Sequence, residues 1–320
     1  MNQNPYVFIV GCPRSGTTLL RRVVDANPCI AIIHRETHWI PGWYENRIGM
    51  TPEGFVTSEV ISRLLEFPKF SRLGFVREEL EALIGAGEPV SYATFITGVF
   101  NLYGKAKGKL LVGDKTPGYG RSIPTLHALW PRARFVHLIR DGRDVCLSAI
   151  DWKKKRHARE KRFPTHWEQD PVATAALWWE SHVRPAREAG RSLGAELYYE
   201  IRYESLVANP ARECDALCRF LGVPFDDAMV RFHEGRTKID PLLNAKKAWR
   251  PITPGLRNWK TQLPVADVER FEALVGDLLD ELGYERAVPC LELEAQSRAA
   301  MTRDFFAKNG PDKWKQDTHA

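Results

Sequence analysis

The stretch "YVFIVGCPRSGTTLL", residues 6–20, decides how the rest of the chain is read. Tyr6 to Val10 is an apolar run rich in β-branched and aromatic side chains, which predicts a buried strand. Gly11 to Gly16 forms a loop, and a helix is predicted from about residue 16 to about residue 26, where "DANP" closes it. A Walker A loop reads G-x-x-x-x-G-K-[ST]; Gly11 and Gly16 keep that spacing, but Thr17 stands where the lysine belongs. The backbone N–H groups of such a loop, at a helix N-terminus, form a nest for an anion. Ser15, Thr17 and Thr18 add hydroxyl donors and Arg14 adds a forked charge. The missing lysine, with no convincing magnesium-binding strand downstream, argues against nucleoside triphosphate hydrolysis. Cys12 does not open a cysteine-phosphatase loop, C-x-x-x-x-x-R, because Thr18 fills the arginine's place.

Working outward, "CIAII" (29–33), "KLLVGDK" (109–115), "ARFVHLIR" (133–140) and "ELYYEIRYE" read as further strands. Helical patterns separate them, notably "IPTLHALW", the run from "DVCLSAI", and "VATAALWWESHVRPAREAG". Strands alternating with helices predict an α/β fold: a P-loop-like parallel sheet flanked by helices on both faces. Residues 42–108 change to helical segments broken by Gly and Pro, and are expected to form a helical insertion that shapes the acceptor region. One domain is expected over 1–286, followed by a polar C-terminal tail over 287–320. Ligands of such sheets sit outside the carboxyl ends of the strands. The unusual motifs fall there, after Val10, Ile33, Val112 and Ile139.

The 320 residues are 44% hydrophobic and 27% charged, an ordinary globular composition. The net charge of +6 leans toward an anionic ligand without establishing nucleic-acid binding, and no nucleic acid is expected as partner. No run of about 18 apolar residues predicts a membrane span. The N-terminal "MNQNPYVFIV" lacks a basic leader region. Six cysteines without a C-x-x-C pair read as reduced, mostly buried thiols, and the chain is expected in the cytoplasm.

"FVHLIRDGRDVCLSAI" places Arg140 at a strand end and Ser148 eight residues later on the next helix. The pair can clamp a second anion beside the first; "RDGRD" also reads as a surface turn with Arg–Asp pairs. Taken together, "CPRSGTTLL" and R-(x)7-S strongly resemble the sulfotransferases that use 3′-phosphoadenosine 5′-phosphosulfate (PAPS). The resemblance implies that the loop holds the 5′-phosphosulfate and that Arg140 and Ser148 hold the 3′-phosphate. "RYESLVANP" resembles the family's Y-E-x-L element, whose tyrosine lies by the nucleotide, here Tyr203. "PGLRNWKTQLP" resembles the segment before the last core helix, and "NAKKAWRPIT" (244–253) the segment that closes over PAPS, with Lys246, Lys247 and Arg250 as candidate contacts. The R-K-G of the common cytosolic enzymes is missing here.

The first third is most similar to tyrosylprotein sulfotransferases and their bacterial relatives, through "PRSGTTLLRRVVDANPCIAIIHRETHWIP" and "GDKTP". That likeness implies Glu36 as catalytic base and Lys115 as catalytic lysine; the charge that builds on the leaving oxygen makes Arg14 a second candidate cation there. The animal enzymes carry a membrane anchor and lumenal disulfides, so their protein substrate is not carried over. Sulfuryl transfer builds charge on the leaving phosphate oxygen, which calls for cations there and a base for the acceptor proton. "HRETH" offers His34 and His38 as rival bases. Trp39, Trp43 and Tyr44 read equally as an acceptor wall or as core. "KKKRHAREKR" (153–162) reads as a solvated face or as attraction for an anionic acceptor. The expected enzyme is a sulfotransferase using PAPS and leaving 3′-phosphoadenosine 5′-phosphate (PAP), with no metal and an unnamed hydroxyl or amine acceptor. A P-loop-type small-molecule kinase and a non-catalytic anion-binding protein are the alternatives.

Overall fold

The structure, a computed structural model, describes residues 4–85, 87–155, 165–234, 251–253, 255, 257–288 and 291–309. The opening stretch folds as expected into β1 (Val7–Gly11), the glycine loop and α1 (Thr17–Asp25), followed by β2 (Ile30–Ile32). The insertion holds α2 (Ile40–Glu45), α3 (Ser58–Glu66), α4 (Arg77–Ile84) and α5 (Tyr92–Lys107). Thr57 and Ser91 cap α3 and α5 with their hydroxyls, which accept from the N–H groups of Glu59 and Thr94. The chain returns as β3 (Leu111–Lys115), α6 (Ile123–Leu129), β4 (Arg134–Ile139) and α7 (Gly142–Lys155). Then come α8 (Pro171–Ser192), β5 (Tyr198–Arg202), α9 (Tyr203–Ala208) and α10 (Pro210–Leu221). The late segment forms α11 (Trp259–Gln262), α12 (Val265–Glu281) and α13 (Leu293–Asn309).

The five strands form one sheet in the order β2-β3-β1-β4-β5, and every pairing is parallel. β1 is central because both its faces are apolar. Phe8 and Val10 join the core beneath the insertion and α6, while Val7 and Ile9 join the core under α1, α9 and α10. Burying each such side chain stabilises by roughly 1.5–3 kcal/mol. A third core, under α7, α8 and α12, contains Trp179, Phe271 and Leu278. Helices thus cover both faces of the sheet, which leaves the carboxyl edge as the place for ligands.

The run expected as a polar tail contains α13, whose Ala295, Ala299 and Phe306 are buried. Ala299 and Phe306 pack with Leu274 and Leu278 of α12. Those apolar positions are sparse in a polar sequence, which hides the helix from a composition reading. The five described cysteines are free thiols, four of them buried.

Candidate active site

Strand order sets the site out as a row along the carboxyl edge. From β2 outward come Glu36 after β2, Lys115 ending β3, the loop of residues 11–16 after β1, Arg140 after β4 and Tyr203 after β5. Register aligns them: Ile9 pairs with Lys115 on one side of β1, and Gly11 pairs with Leu138 on the other. Residues far apart in sequence therefore converge on β1.

The cradle depends on Gly16, whose φ of 101° favours glycine and where a Cβ would lie 2.6 Å from the Tyr203 ring. Arg14 also has a left-handed φ, 79°, an uncommon conformation for a non-glycine residue and one that clusters at functional sites. No side chain caps α1, so its first N–H groups have no side-chain acceptor there. Ser15 is fully buried, and its Oγ has no hydrogen-bond partner. Thr17 is buried and Thr18 half-buried at the start of the same helix. An anion in this nest would give the orphaned Ser15 hydroxyl its acceptor.

The residues expected to hold a second anion lie next to it. Arg140 is buried, stacks its guanidinium 4.1 Å above the Tyr203 ring and pairs with Asp144 at 3.1 Å. Its Nε is buried without a partner. Arg14 Nε donates to Ser148 Oγ at 3.2 Å, so Arg14 bridges from the loop to the Ser148 helix. Asp144 also accepts from the Trp259 N–H at 2.9 Å, and the Arg143 guanidinium lies 3.6 Å over the Trp259 ring. Trp259 and Asp144 were not assigned from sequence; the W-K of "GLRNWK" was the available signal. "RDGRD" is therefore a buried polar network and not a surface turn, with Arg143 held by Asp141 and Glu272.

At the other end Lys115 Nζ meets Glu36 Oε1 at 2.5 Å, and Glu36 Oε2 meets His38 Nε2 at 2.9 Å. Burial alone would raise the Glu36 pKa, but Lys115 and His38 together hold it well below the usual carboxylate range. Thr37, between the two, is fixed from behind. Its N–H donates to Thr116 Oγ1 at 3.0 Å and its hydroxyl meets the Tyr119 hydroxyl at 2.7 Å. His34 is elsewhere: its Nδ1 lies 3.3 Å from the Tyr103 hydroxyl of α5, and burial with Arg35 nearby lowers its pKa. Trp39 is core, packed on Trp43 and Phe70, whereas Tyr44 is exposed.

The structure brings Glu36 and Lys115 into contact, Arg14 onto Ser148, and Arg140 onto Tyr203. Lys246, Lys247, Arg250 and residues 156–162 of the basic run lie outside the described residues. Among the described residues no group of three or more His, Cys, Asp or Glu side chains is placed to hold a metal.

A sulfotransferase family model matches residues 5–227, which covers every element of the row just described. The chain belongs to the sulfotransferase family, enzymes that move a sulfuryl group from PAPS to an acceptor. Among curated relatives, it is 27% identical over 288 residues to the protein-tyrosine sulfotransferase of Drosophila melanogaster, covering 88% of this chain and 52% of that one. It is likewise 27% identical over 299 residues to protein-tyrosine sulfotransferase 1 of Danio rerio, covering 88% of this chain and 72% of the relative. This chain thus spans about half the length of the fly relative. Among solved structures, the sulfotransferase domain of the Synechococcus PCC 7002 olefin synthase matches with a TM-score of 0.58 at 23% identity. That match covers 89% of this chain and 96% of the other and supports the fold.

These relatives correct one expectation. The cytoplasmic placement is contradicted, because the matched relatives are animal protein-tyrosine sulfotransferases, the anchored and lumenal branch of the family. No described helix is long and apolar enough to cross a membrane, and that fact assigns no compartment.

Proposed function

We propose that this chain transfers the sulfuryl group of PAPS to a hydroxyl acceptor, favouring a phenol, without a metal ion. The observation that carries this is the pair of orphaned buried atoms, Ser15 Oγ and Arg140 Nε, at the ends of neighbouring strands β1 and β4. Two anion sites side by side suit a nucleotide with phosphates at both ends. The loop with Ser15, Gly16, Thr17 and Thr18 would hold the 5′-phosphosulfate, and Arg140, Ser148 and Tyr203 the 3′-phosphate end. PAPS supplies an activated sulfuryl group when bound. Lys115 and Arg14 then provide the positive charge at the oxygen where negative charge builds, already positioned before the reaction. The Glu36–His38 pair serves the acceptor proton. A phenol is favoured because the relatives' names specify protein tyrosine, and because a phenolic hydroxyl, with a pKa of about 10, yields its proton readily.

The expected result is that PAP raises the melting temperature in the presence of a chelator. By linkage the gain is about 2.7 kcal/mol at a hundredfold excess over the dissociation constant. Thermal scanning checks it. No shift with PAP, beside a clear shift with magnesium–ATP, would contradict the reading and favour a kinase.

A further inference from the structure

Asp114 lies on β3, one residue before Lys115, and is fully buried. A carboxyl group in such a place needs hydrogen bonds from its surroundings. Its register partner on β1 is the apolar Phe8, which supplies none. Burial raises the Asp114 pKa to about 7, against the hydroxyl of Thr116, the Lys115 charge and the hydroxyl of Thr37, which lower it. The two threonine hydroxyls thus face the carboxyl, yet no hydrogen bond reaches either of its oxygens. The charged or titratable groups turned toward it are Lys115 on its own strand, Glu36 from the segment after β2, and the Tyr119 phenol.

The same two threonines hold the segment that carries Glu36. The Thr37 N–H donates to Thr116 Oγ1 at 3.0 Å, the Thr37 and Tyr119 hydroxyls meet at 2.7 Å, and the Ile40 N–H donates to the Tyr119 hydroxyl at 3.0 Å. Thr116 Oγ1 and the Tyr119 oxygen each accept from the backbone, so their own protons must point elsewhere. Tyr119 can give its proton to Thr37 Oγ1, which leaves the protons of Thr37 and Thr116 to be placed. Those two oxygens stand 3.4 Å apart, too far for a strong bond between them. An ionised Asp114 offers one oxygen to each, and such charge-assisted bonds are about twice as strong as neutral ones. A protonated Asp114 accepts less well and brings one more proton to place. Thr37 is buried, and its neighbour Glu36 meets the Lys115 ammonium at 2.5 Å. The grip on Thr37 therefore sets where Glu36 stands.

We propose that Asp114 is a positioning residue: its ionised carboxylate accepts from the Thr37 and Thr116 hydroxyls and so keeps Glu36 on Lys115 in the geometry the transfer needs. The inference rests on the sulfotransferase reading and holds whichever group takes the acceptor's proton. Asp114 is fully buried and acts through its neighbours. Turnover should accordingly rise with pH as Asp114 ionises, since even about 1 Å of misplacement can cost a hundredfold in rate.

The test uses the full chain with saturating PAPS and a tyrosine-containing peptide, reading single-turnover rate, PAP affinity and melting temperature against pH. Asp114→Asn keeps the shape, but its amide brings two protons to a place already supplied with donors. It should lower the rate above neutral pH by about tenfold to a hundredfold, lose the limb near pH 7 and keep PAP affinity. Thr37→Val removes one donor, so its limb should persist but move to higher pH, a shift that a merely structural contact would not give. The melting curves carry the same signature. A raised carboxylate pKa costs stability as the pH climbs from the unfolded value of about 4 to the folded value of about 7. Asp114→Asn escapes that cost, so its melting temperature should gain on the wild type across this window and then run parallel. Thr37→Val should extend the window upward, and it decides the matter if Asp114→Asn folds poorly. A wild-type rate that is flat through neutral pH, a limb that persists in Asp114→Asn, or a limb and window that stay in place in Thr37→Val would overturn the proposal. Failure of the wild type to bind PAP or to use the peptide would instead overturn the reading beneath it, and the melting curves would still decide whether Thr37 and Asp114 are coupled.

Discussion

Lys115→Ala is expected to lower turnover by about 10²–10³-fold, the usual loss when one preorganised donor to a developing oxyanion is removed. Lys115 ends β3, directly beside the central strand that feeds the anion loop, and its ammonium is nearly covered by protein. Little water is available there to replace it, so its charge is strongly felt. PAP affinity should change far less than turnover, because the charge Lys115 answers exists fully only in the transition state. A stability effect follows as well. In the wild type the depressed Glu36 pKa contributes stability that is present above the ordinary carboxylate value and lost as the pH falls below it. The variant lacks the cation behind that depression. Its melting temperature should therefore lie below the wild type at neutral pH, and the gap should narrow in acid below about pH 4. Paired pH–melting curves and single-turnover rates check both parts. Wild-type turnover in Lys115→Ala would remove this residue from the chemistry.

Arg140→Ala is expected to weaken PAP binding about tenfold to a hundredfold, from the roughly 1.5–3 kcal/mol typical of a charge-assisted hydrogen bond. Removal of the guanidinium also leaves the buried Asp144 carboxylate without its ion-pair partner beside the proposed 3′-phosphate site, and like charges there add to the loss. Turnover at saturating PAPS should stay within a few-fold of wild type if Arg140 holds the 3′-phosphate as proposed, because that group is remote from the transferred one and its binding is uniform. Arg140→Lys should recover only part of the affinity. A lysine supplies the charge but neither the fork nor the flat face that stacks on Tyr203. A large fall in turnover with unchanged PAP affinity would contradict this placement.

The strand, glycine loop and helix were legible because their signals are local: two glycines at fixed spacing, hydroxyls between, and an apolar strand before them. The parallel sheet was legible from the alternation of strands and helices. Strand order was not, since alternation does not say that β3 inserts between β2 and β1. Yet that insertion brings Glu36 to Lys115 across 79 positions of sequence. The choice among Glu36, His34 and His38 was equally hidden. The structure pairs Glu36 with His38, where the backbone is left-handed and the Thr37 N–H is held by Thr116, and leaves His34 with Tyr103. Asp144 and Trp259 join through a backbone N–H, a contact that no side-chain motif records.

The most direct test of the central claim is calorimetric titration of the full chain with PAP, adenosine 5′-phosphate and ATP, each with chelator and with magnesium. The two proposed anion sites predict that PAP binds equally well with and without chelator. They also predict that adenosine 5′-phosphate, which lacks the 3′-phosphate, binds at least about tenfold more weakly through loss of the Arg140 contact. Equal affinity for the two nucleotides, or tight binding confined to magnesium–ATP, would contradict the account.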